Sequence, residues 1–207
     1  MWYNLKCGKK KKGVYRMEEV LVIRKEFIKD ILKGSPGGGI FFKNRSEIEE
    51  NPDYVQIIPC VVLRNNRRYA LITVGTTKDP RIKEPLSLLI SGHINHNDEV
   101  TFKNRLQFNL TMVGGLLREL SEEICWVGPI NLISLGDPIY IEEGGCHADK
   151  YHVGIPFILD IPSRELCYPN KEVADINFKK LKELGPIAGK LDSWSLEVLR
   201  RLEGGIS

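Results

Sequence analysis

The sequence has no apolar run long enough to cross a membrane. The longest runs, IIPCVVL (57–63) and VGIPFILDI (153–161), are far shorter than the ~20 residues that a membrane-spanning helix needs. The sequence also lacks the cysteine pattern of a disulfide-rich domain. Its five cysteines are scattered, without a C-x-x-C pair or a preceding signal peptide. We therefore expect neither a membrane protein nor a disulfide-rich domain, but a soluble chain in a reducing, cytoplasmic setting.

Acidic residues are absent from positions 1–16, which carry six lysines and arginines. A basic arm of this kind can hold a phosphate-rich partner, although a solvated terminus is the simpler explanation.

The whole chain has 207 residues, 42% of them hydrophobic, which is enough for one well-buried domain and an added subdomain. We predict an N-terminal extension over 1–50, with its basic arm at 1–16, and one domain over 51–207.

Strand and helix patterns alternate along the chain. A strand followed by a helix is predicted over 18–32, and a hairpin by VQIIPCVVL and RYALITV, which flank the turn residues RNNR. Pro59 lies inside the first hairpin strand, which predicts an edge position or a bulge. Later elements are a strand ending at Gly92, a helix over 111–124, a strand at IPFILDI, a strand and helix in VADINFKKLKEL, and a terminal helix capped by Asp192 or Ser193. This order predicts an α+β sandwich.

Three carboxylates share one face of the predicted helix TMVGGLLRELSEEI. At 100° per residue, Glu119, Glu122 and Glu123 occupy an arc about 100° wide, and Arg118 lies beside it. Their repulsion costs a few tenths of a kcal/mol per pair, and a divalent cation such as Mg²⁺ would reverse its sign. Taken alone, the pattern is also typical of a solvated helix face.

The residues upstream of this helix add a resemblance to a known family. A strand ending in LLISGHI, a polar loop and the helix segment RELSEE together resemble the Nudix (MutT-like) signature, G-x5-E-x7-R-E-U-x-E-E-x-G-U. The matching positions are Gly92 for the first glycine, Arg118, Glu119 and Leu120 for R-E-U, and Glu122 and Glu123 for the final acid pair. The resemblance covers about residues 53 to 200, and the segments IIPCVVLR, SGHIN and LDSWS resemble a Nudix branch described as phosphoesterases.

Three departures from the signature stand out. Gly92 and Arg118 are 26 positions apart where the signature has 14, so about twelve residues, VTFKNRLQFNLT, are inserted. The internal glutamate of the signature falls on Asp98 by count and on Glu99 by residue type, and we prefer Glu99 as the partner of the arginine. Cys125 stands where the signature has its last glycine, which puts the end of the helix in question.

The resemblance implies an α/β/α sandwich with a mixed sheet. It also implies a hydrolase that uses Mg²⁺ or Mn²⁺ to cleave a diphosphate linkage in a small nucleoside diphosphate derivative. The implied metal ligands are Glu119, Glu122 and Glu123, with Glu172 as a further candidate and Glu142 and Glu143 as its rivals. The implied catalytic residues are Glu119, Glu122 and Arg118, and the implied substrate-binding residues are Gly92 and His93.

Two alternative functions stay open. The chain is either a catalytically inactive Nudix-like module that binds a nucleotide or regulates, or an enzyme that hydrolyses RNA 5′ ends while its basic arm holds the phosphate backbone. Three mutually repelling acids kept together argue against an inactive module. The small-molecule pyrophosphohydrolase is therefore our first hypothesis, and substrate identity and oligomeric state stay open.

Overall fold

The computed structural model of the chain describes residues 18–34, 38–75, 86–126, 128–164, 167–170 and 173–205. The strands are β1 (Glu19–Arg24), β2 (Ile40–Asn44), β3 (Tyr54–Asn65), β4 (Arg68–Val74), β5 (Leu86–Ser87), β6 (Ile90–Ser91), β7 (Thr101–Phe102), β8 (Arg105–Leu106), β9 (Leu132–Ser134), β10 (His152–Asp160) and β11 (Val173–Lys180). The helices are α1 (Ile28–Leu32), α2 (Arg45–Ile48), α3 (Phe108–Ile124), α4 (Leu181–Leu184) and α5 (Ser193–Gly204). Within these ranges, no helix has the length and apolar character needed to span a membrane.

Strand β3 is the centre of the main sheet. It pairs in parallel with β10 from Gln56 to Arg64. Strands β1, β6 and β4 pair antiparallel with successive segments of it. Residues 55–63 are all buried, which requires that both faces of the strand are covered. The parallel β3–β10 pair makes the sheet mixed, and the predicted β3–β4 hairpin is confirmed.

The expectation of an edge strand or a bulge at Pro59 is wrong. Pro59 pairs in register with Ile155 in the middle of the sheet. The proline is accommodated because β1 pairs with β3 only as far as Gln56, and β6 only from Cys60 onward. Pro59 lies in the interval between these two partners, where no antiparallel strand requires the N–H that proline lacks.

Helices α3 and α5 cover opposite faces of this sheet. Alternate side chains of a strand point to opposite faces, so Val61 and Leu63 pack against α3 while Cys60 and Val62 pack against α5. The contacting helix residues are Leu116, Leu120 and Ile124 of α3 and Val198 and Leu202 of α5. The predicted α+β class, with its α/β/α layers, is confirmed.

The segment before residue 50 contributes strands to the same sheet. Strand β1 pairs antiparallel with both β2 and β3, and the predicted strand and helix over 18–32 are β1 and α1. The boundary at residue 50 stays a prediction. The basic arm at 1–16 lies outside the described residues.

The insertion within the Nudix-like segment forms a hairpin and the first turn of α3. Strands β7 and β8 pair across Lys103 and Asn104, whose φ angles of 49° and 58° are typical of a two-residue type I′ turn. Helix α3 then begins at Phe108, three residues before the predicted start. The extra residues therefore lengthen one end of the helix and leave its acidic end unchanged.

Cys125 ends α3 in the conformation that a glycine adopts most easily. Its φ angle is 49°, in the left-handed region, and its N–H donates back to the Leu120 carbonyl. The helix therefore ends at the position where the Nudix signature has a glycine. A cysteine is strained there because its Cβ lies close to the backbone carbonyl.

We expect Cys125→Gly to raise the free energy of unfolding by about 1 kcal/mol, because glycine adopts a positive φ without this strain. Cys125→Ala is the matched control, since it removes the thiol but keeps the Cβ. Urea denaturation measures both variants. A glycine variant no more stable than the alanine variant would contradict strain at this position.

Candidate active site

Arg118 of α3 bonds both to the loop after β6 and to two acids of its own helix. Its Nε and Nη2 donate to Asp98 at 3.0 and 2.8 Å, and Nη2 also donates to the His93 carbonyl at 2.6 Å. Its Nη1 donates to Glu119 at 2.7 Å and to Glu122 at 3.3 Å. Burial opposes the charge of this guanidinium, but the bonds to the acids outweigh burial and raise the pKa of Arg118. One side chain thus holds the loop after β6 against α3.

The internal acid of the signature is Asp98, so our preference for Glu99 is wrong. The Asp98 side chain is 6% exposed, and its Oδ2 also accepts from the backbone N–H of Asn95. This bond closes a capping box around the 3-10 turn at His96–Asp98 and turns the carboxylate toward α3. Glu99, the next residue, lies 3.2 Å from His96 instead.

Glu119 lies directly on the backbone of Gly92. Its side chain is 13% exposed, and a Cβ placed on Gly92 would overlap its carboxylate. Burial raises the pKa of Glu119, and the bond to Arg118 only partly offsets this effect. Glycine is therefore required at the end of β6 if the loop is to approach the helix this closely.

Glu122 and Glu123 lie near the C-terminus of α3. The side chain of Glu122 is 62% exposed. The Asn170 side chain donates to the Glu122 carbonyl, and the Asn170 N–H donates to the Glu123 carbonyl at 2.9 Å. The segment after β10 is thereby held against the acidic end of α3.

The donor chemistry of these residues fits a hard divalent cation. In the described ranges, no three His, Cys, Asp or Glu side chains lie close enough together to form a ready-made metal site. One guanidinium nevertheless contacts the three carboxylates of Asp98, Glu119 and Glu122, so negative charge is in excess. Carboxylate oxygens in excess are ligands that Mg²⁺ and Mn²⁺ prefer.

His93 faces both the arginine and a cavity. Its carbonyl accepts from Arg118, while its ring lies 5.6 Å from the ring of His152, centroid to centroid. Burial, helped by the positive charge of Arg45, lowers the pKa of His93 to about 4. The imidazole is therefore neutral at physiological pH, and its buried Nε2 has no hydrogen-bond partner among the described residues.

The remaining candidate ligands lie elsewhere. Glu172 falls outside the described residues. Glu142 accepts from Lys25 at 2.7 Å, and Glu143 lines a separate cavity with Arg200 and Arg201. Within the described part of the chain, neither rival contacts Arg118. Glu172 stays a prediction.

The sequence did not predict the cavity of about 640 Å³ that adjoins this site, which we call the α5 cavity. It lies between β6, the loop at 144–149 and the start of α5, and Gly92 and His93 form one wall. Asp149, which is 8% exposed, accepts from the Cys146 N–H and from the Ser193 hydroxyl and so ties the loop to α5. These residues are far apart in sequence. Of these elements, the sequence analysis predicted the start of α5, from the segment DSWS.

Neither protein-family models nor curated proteins match this sequence. Among solved structures, Tm1382, a candidate Nudix hydrolase, superposes with a TM-score of 0.64 at 22% identity, over 89% of this chain and 99% of its own. The chain has the Nudix fold. DR0079 from Deinococcus radiodurans gives a TM-score of 0.57 at 12% identity, over 89% and 98% of the two chains. The Nudix domain of Shewanella oneidensis NrtR, in complex with ADP ribose, gives 0.52 at 12%, over 73% and 88%.

These likenesses concern the fold. In the Nudix fold of this chain, Gly92, Arg118, Glu119 and Glu122 are brought together by the contacts described above. Their functional roles stay predictions, and so does the phosphoesterase branch. The α/β/α architecture implied by the resemblance is confirmed.

We expect Gly92→Ala to lower the free energy of unfolding by roughly 1–3 kcal/mol, because its Cβ would overlap the Glu119 carboxylate. Gly189→Ala is the matched control, since a Cβ there meets open space and should change stability by less than about 0.5 kcal/mol. Urea denaturation measures both.

A double variant isolates the cause of the Gly92 effect. In a Glu119→Ala background the carboxylate is gone, so Gly92→Ala should cost less than it does in the natural chain. An equal cost in both backgrounds would show that the contact between Gly92 and Glu119 is not the reason for glycine.

Proposed function

We propose that this chain is a metal-dependent hydrolase that cleaves a diphosphate linkage in a nucleoside diphosphate derivative. The observation that carries the proposal is the largely buried Glu119 side chain, held between the Arg118 guanidinium and the Gly92 backbone. A solvated helix face would leave such a carboxylate in water. Desolvated acids next to a cavity are typical of functional sites, and the Nudix fold supports hydrolysis of nucleotide derivatives.

Glu119, Glu122 and Glu123 would hold Mg²⁺ or Mn²⁺ in this hydrolase. When bound, the ion neutralises charge on phosphate oxygens and lowers the pKa of bound water. The other work belongs to the chain's own groups. Asp98 and the His93 carbonyl orient Arg118, which in turn fixes the Glu119 carboxylate at 2.7 Å. Preorganised groups of this kind stabilise developing charge without reorganising during the reaction.

Glu119 and Glu122 are the candidates for proton transfer. Burial raises the pKa of Glu119, and a bound divalent cation would lower it again. The Glu122 side chain is largely exposed and accepts a bond from Arg118 at 3.3 Å. Its carboxylate therefore contacts both solvent and the Arg118 guanidinium. The missing side chain of Gly92 leaves room for the Glu119 carboxylate, which therefore lies directly against the backbone after β6.

A small nucleotide is the substrate class that we propose. The α5 cavity has a volume typical of small-molecule sites and shares Gly92 with the carboxylate site. One solved structure with this fold, the NrtR domain, holds ADP ribose. ADP-ribose is therefore the first compound to test, within a panel of nucleoside diphosphate derivatives.

We expect the natural chain to release nucleoside monophosphate from a member of this panel only when Mg²⁺ or Mn²⁺ is present. Glu119→Gln, Glu122→Gln and Glu123→Gln each remove a charged ligand and should lower kcat by about 100-fold or more. Glu203→Gln, an exposed acid of α5, is the control and should retain activity. Product release followed by chromatography measures all four variants.

The opposite result has a defined meaning. If neither the natural chain nor any variant turns over the panel, and calorimetry detects no Mg²⁺ or Mn²⁺ binding, the hydrolase proposal fails. Binding of ADP-ribose without turnover would then favour the inactive nucleotide-binding module.

A further inference from the structure

The β3–β4 turn lies at an edge of the sheet where other strands also end. Strands β3 and β10 run parallel and stay in register up to Arg64 and Asp160, so their C-terminal ends meet at this edge. Strand β11 runs antiparallel to β4 and ends at Lys180, which pairs with Arg68 at the start of β4. The sheet topology thereby brings together the turn, the loop after β10 and the end of β11.

These three segments form an open cleft with a volume of about 510 Å³, which we call the basic cleft. Asn65 is 7% exposed, and its side-chain amide donates to the Ile161 carbonyl at 2.9 Å, which ties the turn to the loop after β10. The volume is large enough for a small molecule. Two amide residues and four cationic residues line the cleft, and they are Asn65, Asn66, Arg67, Arg68, Arg164 and Lys180.

Two of these cations lie directly opposite each other on neighbouring strands. Arg68 of β4 and Lys180 of β11 are paired in register, so both side chains lie on the same face of the sheet. Like charges in this arrangement destabilise an antiparallel pair. One acid lies beside them, because the Glu183 carboxylate is 3.6 Å from Arg68 Nη1 and accepts from the Lys180 N–H at 2.7 Å. An anion bound between the cations would turn their repulsion into attraction.

Phe178 of β11 contacts both Arg68 and Arg164. The guanidinium carbon of Arg164 lies 5.8 Å from the centre of the Phe178 ring, in a cation–π contact. The Nη1 of Arg68 donates to the Phe178 carbonyl at 3.4 Å. Each guanidinium has five N–H donors in one plane, which is more than these contacts use and which matches the geometry of phosphate oxygens.

We propose that the basic cleft binds a compact oligophosphate at a second site, apart from the carboxylates of α3. The four cations come from three chain segments and converge on one volume, and an oligophosphate concentrates several negative charges on adjacent groups. Strand β6 meets β3 at Cys60, whereas the turn begins at Asn65, five residues or roughly 17 Å further along β3. Cations of the chain, and not a metal ion, hold the ligand in this site.

Binding of tripolyphosphate to the full chain in metal-free buffer at neutral pH tests the inference by calorimetry. Without a divalent cation, the acids of α3 repel this anion, so its binding reports on cations of the chain. Arg67→Gln and Arg164→Gln each remove one cation from the cleft and should weaken binding by about tenfold. Arg24→Gln is the matched control, because Arg24 pairs with Tyr54 at the other end of β3, and its affinity should stay within about twofold of that of the natural chain.

Two further probes identify the source of the phosphate chain. Adenosine triphosphate carries it on a nucleoside, whereas a single-stranded RNA oligonucleotide carries one charge per phosphate along an extended backbone. Competition of the nucleoside triphosphate with tripolyphosphate would assign the cleft to nucleotides, and failure to compete would assign it to a free oligophosphate. We expect RNA at the same phosphate concentration to compete at least about tenfold more weakly, because its charges are further apart.

Four results would each overturn the inference. The first is a dissociation constant for tripolyphosphate above about 1 mM. The second is equal affinity in the natural chain and both cleft variants, which would place the anion elsewhere, for example on the basic arm at 1–16. The third is an equal loss of affinity in Arg24→Gln, and the fourth is RNA that competes more strongly than the nucleoside triphosphate. Arg67 and Arg164 are exposed, so both variants should fold, and circular dichroism checks this.

Discussion

The ion-pair network of Arg118 is the interaction on which the rest of the site depends. Four groups from two chain segments converge on one guanidinium: the carboxylates of Asp98, Glu119 and Glu122 and the carbonyl of His93. A planar group with five donors can hold several acceptors in fixed directions, which a lysine ammonium does not. Because the guanidinium is partly buried, loss of this network would leave acids without their main counterion.

The central strand β3 explains how two chemically different regions come to share one boundary. Its alternating side chains separate a layer with α3 from a layer with α5. The acids lie on the first helix, and the α5 cavity lies beside the second. Strand β6 pairs with β3 and ends at Ser91. The next residue, Gly92, lies against Glu119 of α3 and also lines the α5 cavity.

Local patterns predicted most of the elements and part of the site. The helical period placed the three glutamates on one face, while Leu116, Leu120 and Ile124 of the same helix are completely buried and Leu117 is partly buried. Other features depend on partners that are distant in sequence. Pro59 lies in a central strand because β1 and β6 leave an interval beside it. The cavity wall needs the Asp149–Ser193 bond, which no local pattern contains.

By itself, the sequence determined which groups share the acidic face of α3 and that a glycine follows β6, because helical period and residue type are local properties. Only the tertiary structure decided that Asp98, and not Glu99, bonds to Arg118. Both acids lie in the same loop, and the capping of one 3-10 turn determines which of them faces the helix. The tertiary structure also decided that Gly92 lies between the carboxylates and the α5 cavity, since that depends on how β6 and α5 pack together.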